Sequence, residues 1–484
     1  MQTTATKPYW SDSASLPRFP KIDTDEQCDV LVVGGGMTGL TAAYLLSSAG
    51  KSVVVLERRR LAEIDTGHTS AHVTMITDLR LTELQKTFGR DHAQAVWDAG
   101  VAAMSHIDET IREQEIACDF AWVPGYLHLP WQAGRAASTS ADRASVDKQV
   151  KDFQDEAALA REMGFDATSV EDVPLVGGPG VRFDDQARFN PRKYLSGLVR
   201  ALSDRGVKIY EHSEAGEFTE KPLGVKVNGV TVTCGDVVLA THTPLTGIKG
   251  IVGASVFQTK LALYTSYVVA GRIDAGTVPD ALFWDTADPY RYLRLEGHRD
   301  FDVVILGGED HKTGQVEDTG ECYERLESAL EALVPGIELT HRWSGQVVET
   351  PDGLPYIGWN AEHQFAATGY SGNGMTFGTL AGMMAADAIL GRTNPWTELF
   401  EPTRTKIRGG AWDYIKENAD YPYYMIRDLL TRARARKPTC THMGCAVNWN
   451  VAERTWDCPC HGSRFKPNGT VISGPAESPL EGVK

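Results

Sequence analysis

The feature that most constrains this chain is a glycine turn set between a strand and a helix. Asp29-Val-Leu-Val-Val33 is an apolar run of the kind buried in parallel sheets, and Gly34-Gly35-Gly36-Met37-Thr38-Gly39 follows it directly. Residues 38–49 read as helix, and Ser52-Val-Val-Val-Leu56 reads as a second strand closed by Glu57. The first glycine of G-x-G-x-x-G permits the tight turn and the second lets backbone touch a pyrophosphate. The third lets helix and strand pack closely. The helix N-terminus offers unpaired N–H groups and a positive dipole end to phosphates. Glu57 stands at a strand end, where a carboxylate binds ribose hydroxyls. The pattern predicts an α/β chain with a Rossmann-like dinucleotide-binding domain. On this motif alone the dinucleotide is NAD or FAD.

A length of 484 residues has room for roughly two to four domains. Lys and Arg number 48 against 64 Asp and Glu, and a net charge of −16 argues against coating nucleic acid or an anionic membrane. No apolar run approaches the ~18 residues of a membrane helix. The N-terminus has no apolar core of the secretory kind, so no membrane span and a cytoplasmic location are expected.

Residues 1–27 are polar and Pro-punctuated, an arm laid over the surface. The segments at 28–80, 180–255 and 345–400 are expected to build the dinucleotide-binding part of a unit over 28–402. Those at 81–179 and 256–344 should build an interleaved substrate domain of antiparallel sheet plus helices, with a helical insertion over 80–165. Residues 403–437 read as a helical linker ending in a basic run, and 438–484 as a small all-β lobe.

Three later segments favour FAD. They are Thr66-Gly-His-Thr69-Ser70-Ala-His72, Thr350-Pro-Asp-Gly-Leu-Pro-Tyr-Ile-Gly358 and Thr368-Gly-Tyr-Ser-Gly372-Asn373-Gly374-Met375-Thr376. Together with the glycine turn they resemble the glycine oxidase / D-amino acid oxidase superfamily of flavoproteins, over about residues 28–400. The resemblance implies a non-covalent FAD held by Gly34–Gly39, Glu57, Thr69, Ser70 and Gly372–Thr376. Backbone N–H groups and a helix N-terminus at Gly372 and Gly374 would then meet the flavin ring. Some relatives attach FAD through a His or Cys, but His68 and His72 read as structural or supporting residues. A second G-x-G-x-x-G is absent from the sequence, which disfavours a pyridine-nucleotide reductase.

Tyr290, Tyr292 and Arg294 alternate along a strand and are expected to share one face. Tyr292 and Arg294 are the candidate substrate-binding residues, Arg294 as a bidentate carboxylate clamp. A sheet face with a solvated Arg is the competing reading. Glu309, Asp310, His311 and Lys312 read as a charged loop.

Cys28, Cys118, Cys234 and Cys322 are scattered, whereas Cys440, Cys445, Cys458 and Cys460 crowd into 21 residues. Cys440-Thr-His442 and Cys458-Pro-Cys-His461 offer two thiolates and two imidazoles, a set that zinc also accepts. The fuller text, Cys-Thr-His-Met-Gly-Cys…Cys-Pro-Cys-His-Gly-Ser, resembles a Rieske [2Fe–2S] domain in shortened form. That resemblance implies Cys440 and Cys458 on one iron, His442 and His461 on the other, and a Cys445–Cys460 disulfide. It also implies a Ser463 hydroxyl on the cluster. Phe465 replaces the Tyr of high-potential members, which lowers the potential within a range of about −150 to +300 mV.

The expected function is a flavin dehydrogenase acting on a C–N bond of an amine or amino acid. Electrons would go singly to the cluster and then to a ferredoxin, cytochrome or quinone. A reductase with reversed flow and a non-catalytic redox sensor or electron carrier are the alternatives.

Overall fold

Four consecutive β-branched or leucine residues cannot alternate between core and solvent, so Val30–Val33 must be covered on both faces. In the computed structural model, which describes residues 4–131, 140–243, 261–404, 424, 427–428, 437–480 and 483, all four are buried. This strand, β1 (Val30–Val33), feeds α1 (Met37–Ser48), which returns the chain to the parallel strand β2 (Val53–Leu56). The expected βαβ unit is present.

The stretch expected to be a helical insertion holds α2 (Arg90–Glu113), but β3 (Ala121–His128) interrupts it. β4 (Gly180–Arg188), expected with the FAD-binding segments, instead pairs antiparallel with β3. β5 (Lys208–Tyr210) and β6 (Asp236–Leu239) do join the first sheet, parallel to β2 and β1. A second, larger sheet is built from β7 (Ala262–Asp274), β8 (Leu282–Asp285), β9 (Tyr292–Gly297), β10 (Phe301–Lys312) and β11 (Glu338–Glu349). β12 (Tyr356–Ala361), β13 (Gln364–Thr368) and α3 (Gly374–Ile389) complete the first.

The six-stranded sheet has the order β12-β13-β6-β1-β2-β5, and the ten-stranded sheet runs β11-β7-β10-β9-β8-β3-β4 through its middle. α3 lies on α1, and the contact is close because Gly382 carries no side chain. A Cβ there would sit 2.7 Å from Thr41 Cβ. The N-terminal arm is inserted and not merely laid on. Trp10 is fully buried and donates to Thr69 O at 2.6 Å.

Residues 437–480 form a lobe of four short antiparallel strands: β14 (Asn448–Asn450), β15 (Thr455–Asp457), β16 (Arg464–Phe465) and β17 (Val471–Ser473). Its core is small, built on Val447, Phe465 and Ala476. A unit this size rarely stands without a crosslink or metal. Most of the expected 403–437 linker lies outside the described residues, although Asp428 accepts the Ala446 N–H at 2.7 Å.

The lobe docks on the large sheet. Asn448 donates to Gly314 O at 2.7 Å, and Thr319 donates to the Asn450 side chain at 2.7 Å. Gln346 of β11 donates to Gly462 O at 2.8 Å, and Tyr323 donates to Glu453. Gly462 presses on β7, where a Cβ would come 2.5 Å from Leu263 Cβ. Its φ of +71° also suits glycine alone.

Candidate cofactor and substrate site

A cavity of about 1050 Å³ opens at the C-terminal ends of β1 and β2. The glycine turn forms one wall. Gly34 has φ +114°, and a Cβ on it would lie 2.3 Å from Ala240 O at the end of β6. A Cβ on Gly39 would lie 2.0 Å from Gly34 O, so this glycine lets the helix meet the turn. Gly34, Gly35, Gly36, Met37 and Thr38 line the cavity; Gly39 stands behind them. The N-cap of α1 is Gly36, with no side chain closing the helix end.

Glu57 also lines the cavity, and burial pushes its carboxyl pKa up. Its two oxygens accept the N–H groups of Gly35 at 2.9 Å and Arg59 at 2.8 Å, which hold the group in place. Thr66 is a lining residue that the sequence reading quoted without assigning it a role. Its hydroxyl accepts the Met37 N–H at 3.2 Å and lies 2.9 Å from where a Gly36 Cβ would be.

The other expected contacts divide. Thr69 and Ser70 line the cavity. Ser70 bonds His72 Nδ1 at 3.0 Å, and His72 Nε2 meets Leu293 O at 3.3 Å, so both ring nitrogens are engaged. Burial holds the His72 pKa down at about 3 and that of His68 below the usual range. The turn before α3 supplies Gly372, Asn373, Gly374 and Met375 to the wall. Thr376 faces away and donates to Thr74 O at 2.8 Å. The Asp352 carboxylate is a brace: Arg404 grips both its oxygens at 2.8 Å.

Beside Gly372 the cavity becomes acidic. A Cβ on Gly372 would lie 3.3 Å from the Tyr290 hydroxyl and 3.5 Å from an Asp78 oxygen. Tyr290 donates to Asp78 at 3.2 Å, and Tyr292 pairs with Ser266 at 2.8 Å. Asp78 and Asp310 both line this end. Burial raises the Asp78 carboxyl to about 7, and that of Asp310 to about 6. Asp78 keeps accessible surface and lines the cavity, so a molecule in that space can reach its carboxylate. Asp310 belongs to β10 and not to the expected loop, and Glu309 before it turns out to pair with Arg291 and Arg325.

Arg294 is not at the cavity. It is fully buried, donating to Ala71 O at 2.8 Å and Phe189 O at 3.0 Å, with Glu296 as its charge partner. Alternation along the strand put Arg294 and Tyr292 on one face, yet only Tyr292 reaches the opening. The expected carboxylate clamp is corrected accordingly.

The cysteine cluster forms two loops with one hydrogen-bond pattern. Cys440 N donates to Cys445 O at 2.8 Å and Gly444 N to Cys440 O at 3.0 Å; Cys458 N donates to Ser463 O at 2.8 Å and Gly462 N to Cys458 O at 3.0 Å. A Cys445–Cys460 disulfide joins the loops. The Cys440 and Cys458 sulfurs are in hydrogen-bond contact. That contact pushes the Cys440 thiol down, helped by the Ser463 hydroxyl, and pushes Cys458 up. The His442 and His461 rings stand 5.0 Å apart, edge to face. Cys445, Cys458 and Cys460 also crowd within 4.8 Å, but two of those sulfurs are bonded to each other. The two free thiols touch each other and the two imidazoles face each other, a set that fits a mixed-ligand [2Fe–2S] cluster.

These features define a flavin-dependent oxidoreductase with an iron–sulfur lobe. The model for the FAD dependent oxidoreductase family (DAO) matches residues 29–388, and that for the Rieske [2Fe-2S] domain matches residues 414–484. The chain belongs to the DAO family of FAD-dependent oxidoreductases and carries a C-terminal Rieske domain. It is 30% identical to the protein YhfW of Bacillus subtilis (strain 168), over 99% of this chain and 98% of that one. It is 23% identical to gamma-glutamylputrescine oxidoreductase of Escherichia coli (strain K12), over 88% of this chain and 99% of the relative. Glycine oxidase from Geobacillus kaustophilus has the same fold, with TM-score 0.63, 16% identity, and coverage of 78% of this chain and 99% of that one. Among the described residues no helix is long and apolar enough to cross a membrane.

Gly36→Val should yield protein without bound FAD, because the new side chain meets Thr66 and fills the space a pyrophosphate needs. Flavin absorbance of the purified variant checks this.

Proposed function

We propose that the protein is a dehydrogenase that oxidises a C–N bond of an amine or amino acid. Its electrons leave through the Rieske lobe to an external ferredoxin, cytochrome or quinone. FAD supplies a hydride acceptor when bound, and the [2Fe–2S] cluster supplies a one-electron carrier. In this reading Gly34–Thr38, Glu57 and Gly372–Met375 hold the FAD. Cys440 and Cys458 take one iron, and His442 and His461 the other.

The observation that carries the reading is the acidic end of the cavity beside Gly372. Asp78 and Asp310 suit an ammonium group, and Tyr290 and Tyr292 wall the space around it. An ammonium cannot give up a hydride until it loses a proton. A carboxylate whose pKa is raised to about 7 by burial can take that proton at neutral pH. Tyr290 orients the carboxylate through its hydroxyl. The sign follows directly: the proton-accepting form of Asp78 grows as pH rises through about 7, so kcat/KM rises with it.

Anaerobic titration with a panel of amines and amino acids, watching flavin bleaching and cluster reduction together, tests the reaction. Bleaching by no amine, with reduction from an external donor instead, would reverse the electron flow. Asp78→Asn should lower kcat/KM about 10²-fold and abolish the limb near neutrality. A variant with an unchanged pH profile removes Asp78 from proton transfer.

A further inference from the structure

The cavity that holds the glycine turn is not built by the flavoprotein alone. Gly474, Ala476, Glu477 and Ser478, from the loop after β17 in the Rieske lobe, line it together with Gly35 and Glu57. The two sets are tied by adjacent residues. Glu57 receives the N–H groups of Gly35 and Arg59. Arg58, the next residue, donates to Ile472 O at 2.8 Å, and the Arg59 side chain donates to Val471 O. One short segment thus lines the cavity with its acid and grips β17 with its two guanidinium groups.

The same lobe loop reaches the cluster ligands. Ala476 N donates to Ser463 Oγ at 3.0 Å, and Ser463 in turn touches Cys440. Thr441, between Cys440 and His442, donates to Ser478 O at 2.5 Å. Gly474, with φ +87°, allows the loop to fold onto Ser463, where a Cβ would come 2.6 Å from Ser463 Cα. Hydrogen bonds and short stretches of backbone therefore connect the glycine turn, through Glu57, Arg58, Arg59 and β17, to the cluster-binding loops.

We propose that the Rieske lobe completes the FAD site: the loop at 473–478 is a wall of it, and FAD binding and lobe docking strengthen each other. A ligand that touches both halves stabilises their contact, and by linkage the contact tightens the ligand by the same factor. The inference rests on FAD binding and is independent of the substrate and of the direction of electron flow.

Two measurements on the full chain test it. Hydrogen exchange at the backbone amides of 471–478 is compared in the unmodified, cluster-loaded protein with FAD bound, removed and restored. Removal should speed exchange there at least about 10-fold, and added FAD should reverse the change. Separately, the double variant Arg58→Ala, Arg59→Ala should raise the Kd for FAD about 10-fold or more, while Arg58→Lys, Arg59→Lys recovers part of the loss. Exchange at 471–478 that does not respond to FAD overturns the proposal. An unaltered Kd in the double alanine variant overturns it equally.

Discussion

Arg464→Met should unfold the Rieske lobe and leave the flavoprotein folded. Arg464 is nearly buried where β16 meets β11. It reaches Asp457 at 3.3 Å, Ser344 at 3.5 Å and Glu453 at 3.9 Å. Burial works against its charge, but Asp457 and Glu453 outweigh that and push its pKa up. Methionine fills a similar volume yet leaves two carboxylates without a counter-charge. Breaking a buried pair from one side costs about 3–5 kcal/mol, which is comparable to everything so small a core can supply. Calorimetry should show a separate, early transition for the lobe, and protease should cleave near it first. A single unshifted transition would sink this account of the lobe.

Arg294→Met should lower the melting temperature of the flavoprotein and leave the KM for substrate unchanged. The guanidinium is fully buried, and burial brings its pKa down to about 10 against the opposing pull of Glu296. Besides Glu296 it satisfies the carbonyls of Ala71, Phe189 and Leu295. The Trp10 ring lies 5.3 Å from it, so the N-terminal arm packs on the same centre. Removing the cation strands Glu296 and several carbonyls, at a cost of about 3–5 kcal/mol. At about 2–4 °C per kcal/mol for a unit of this size, the melting temperature should fall by roughly 10 °C. A raised KM with an unshifted melting temperature would return Arg294 to the substrate.

What the sequence revealed was local. The glycine turn is legible because its demands fall on neighbours: a positive φ at Gly34 and a close approach at Gly39 leave no other residue type. The metal-ligand loops are legible for the same reason, since each loop closes over six residues, from Cys440 to Cys445 and from Cys458 to Ser463. Alternation placed Tyr292 and Arg294 on one face, but it carries no information about where along that face a cavity opens. The Glu309–Lys312 run reads as a loop in the sequence because charges at a strand end resemble one. Only the fold reveals that Glu309 meets two arginines while Asp310 turns into the cavity. Asp78 stood unremarked because its partner Tyr290 is 212 residues away. The docking face was equally invisible: Gln346, Asn448 and Thr319 are ordinary polar residues until Gly314, Asn450 and Gly462 are brought to them.

The bond from Gln346 to the carbonyl beside His461 has a kinetic corollary. Both redox halves belong to one polypeptide and already touch, so their encounter is unimolecular. Its frequency does not fall on dilution, and ionic strength has little long-range approach to screen. In the proposed reaction only the later meeting with a separate acceptor is a collision between molecules. Rates that depend on protein concentration or salt should therefore report on that meeting alone.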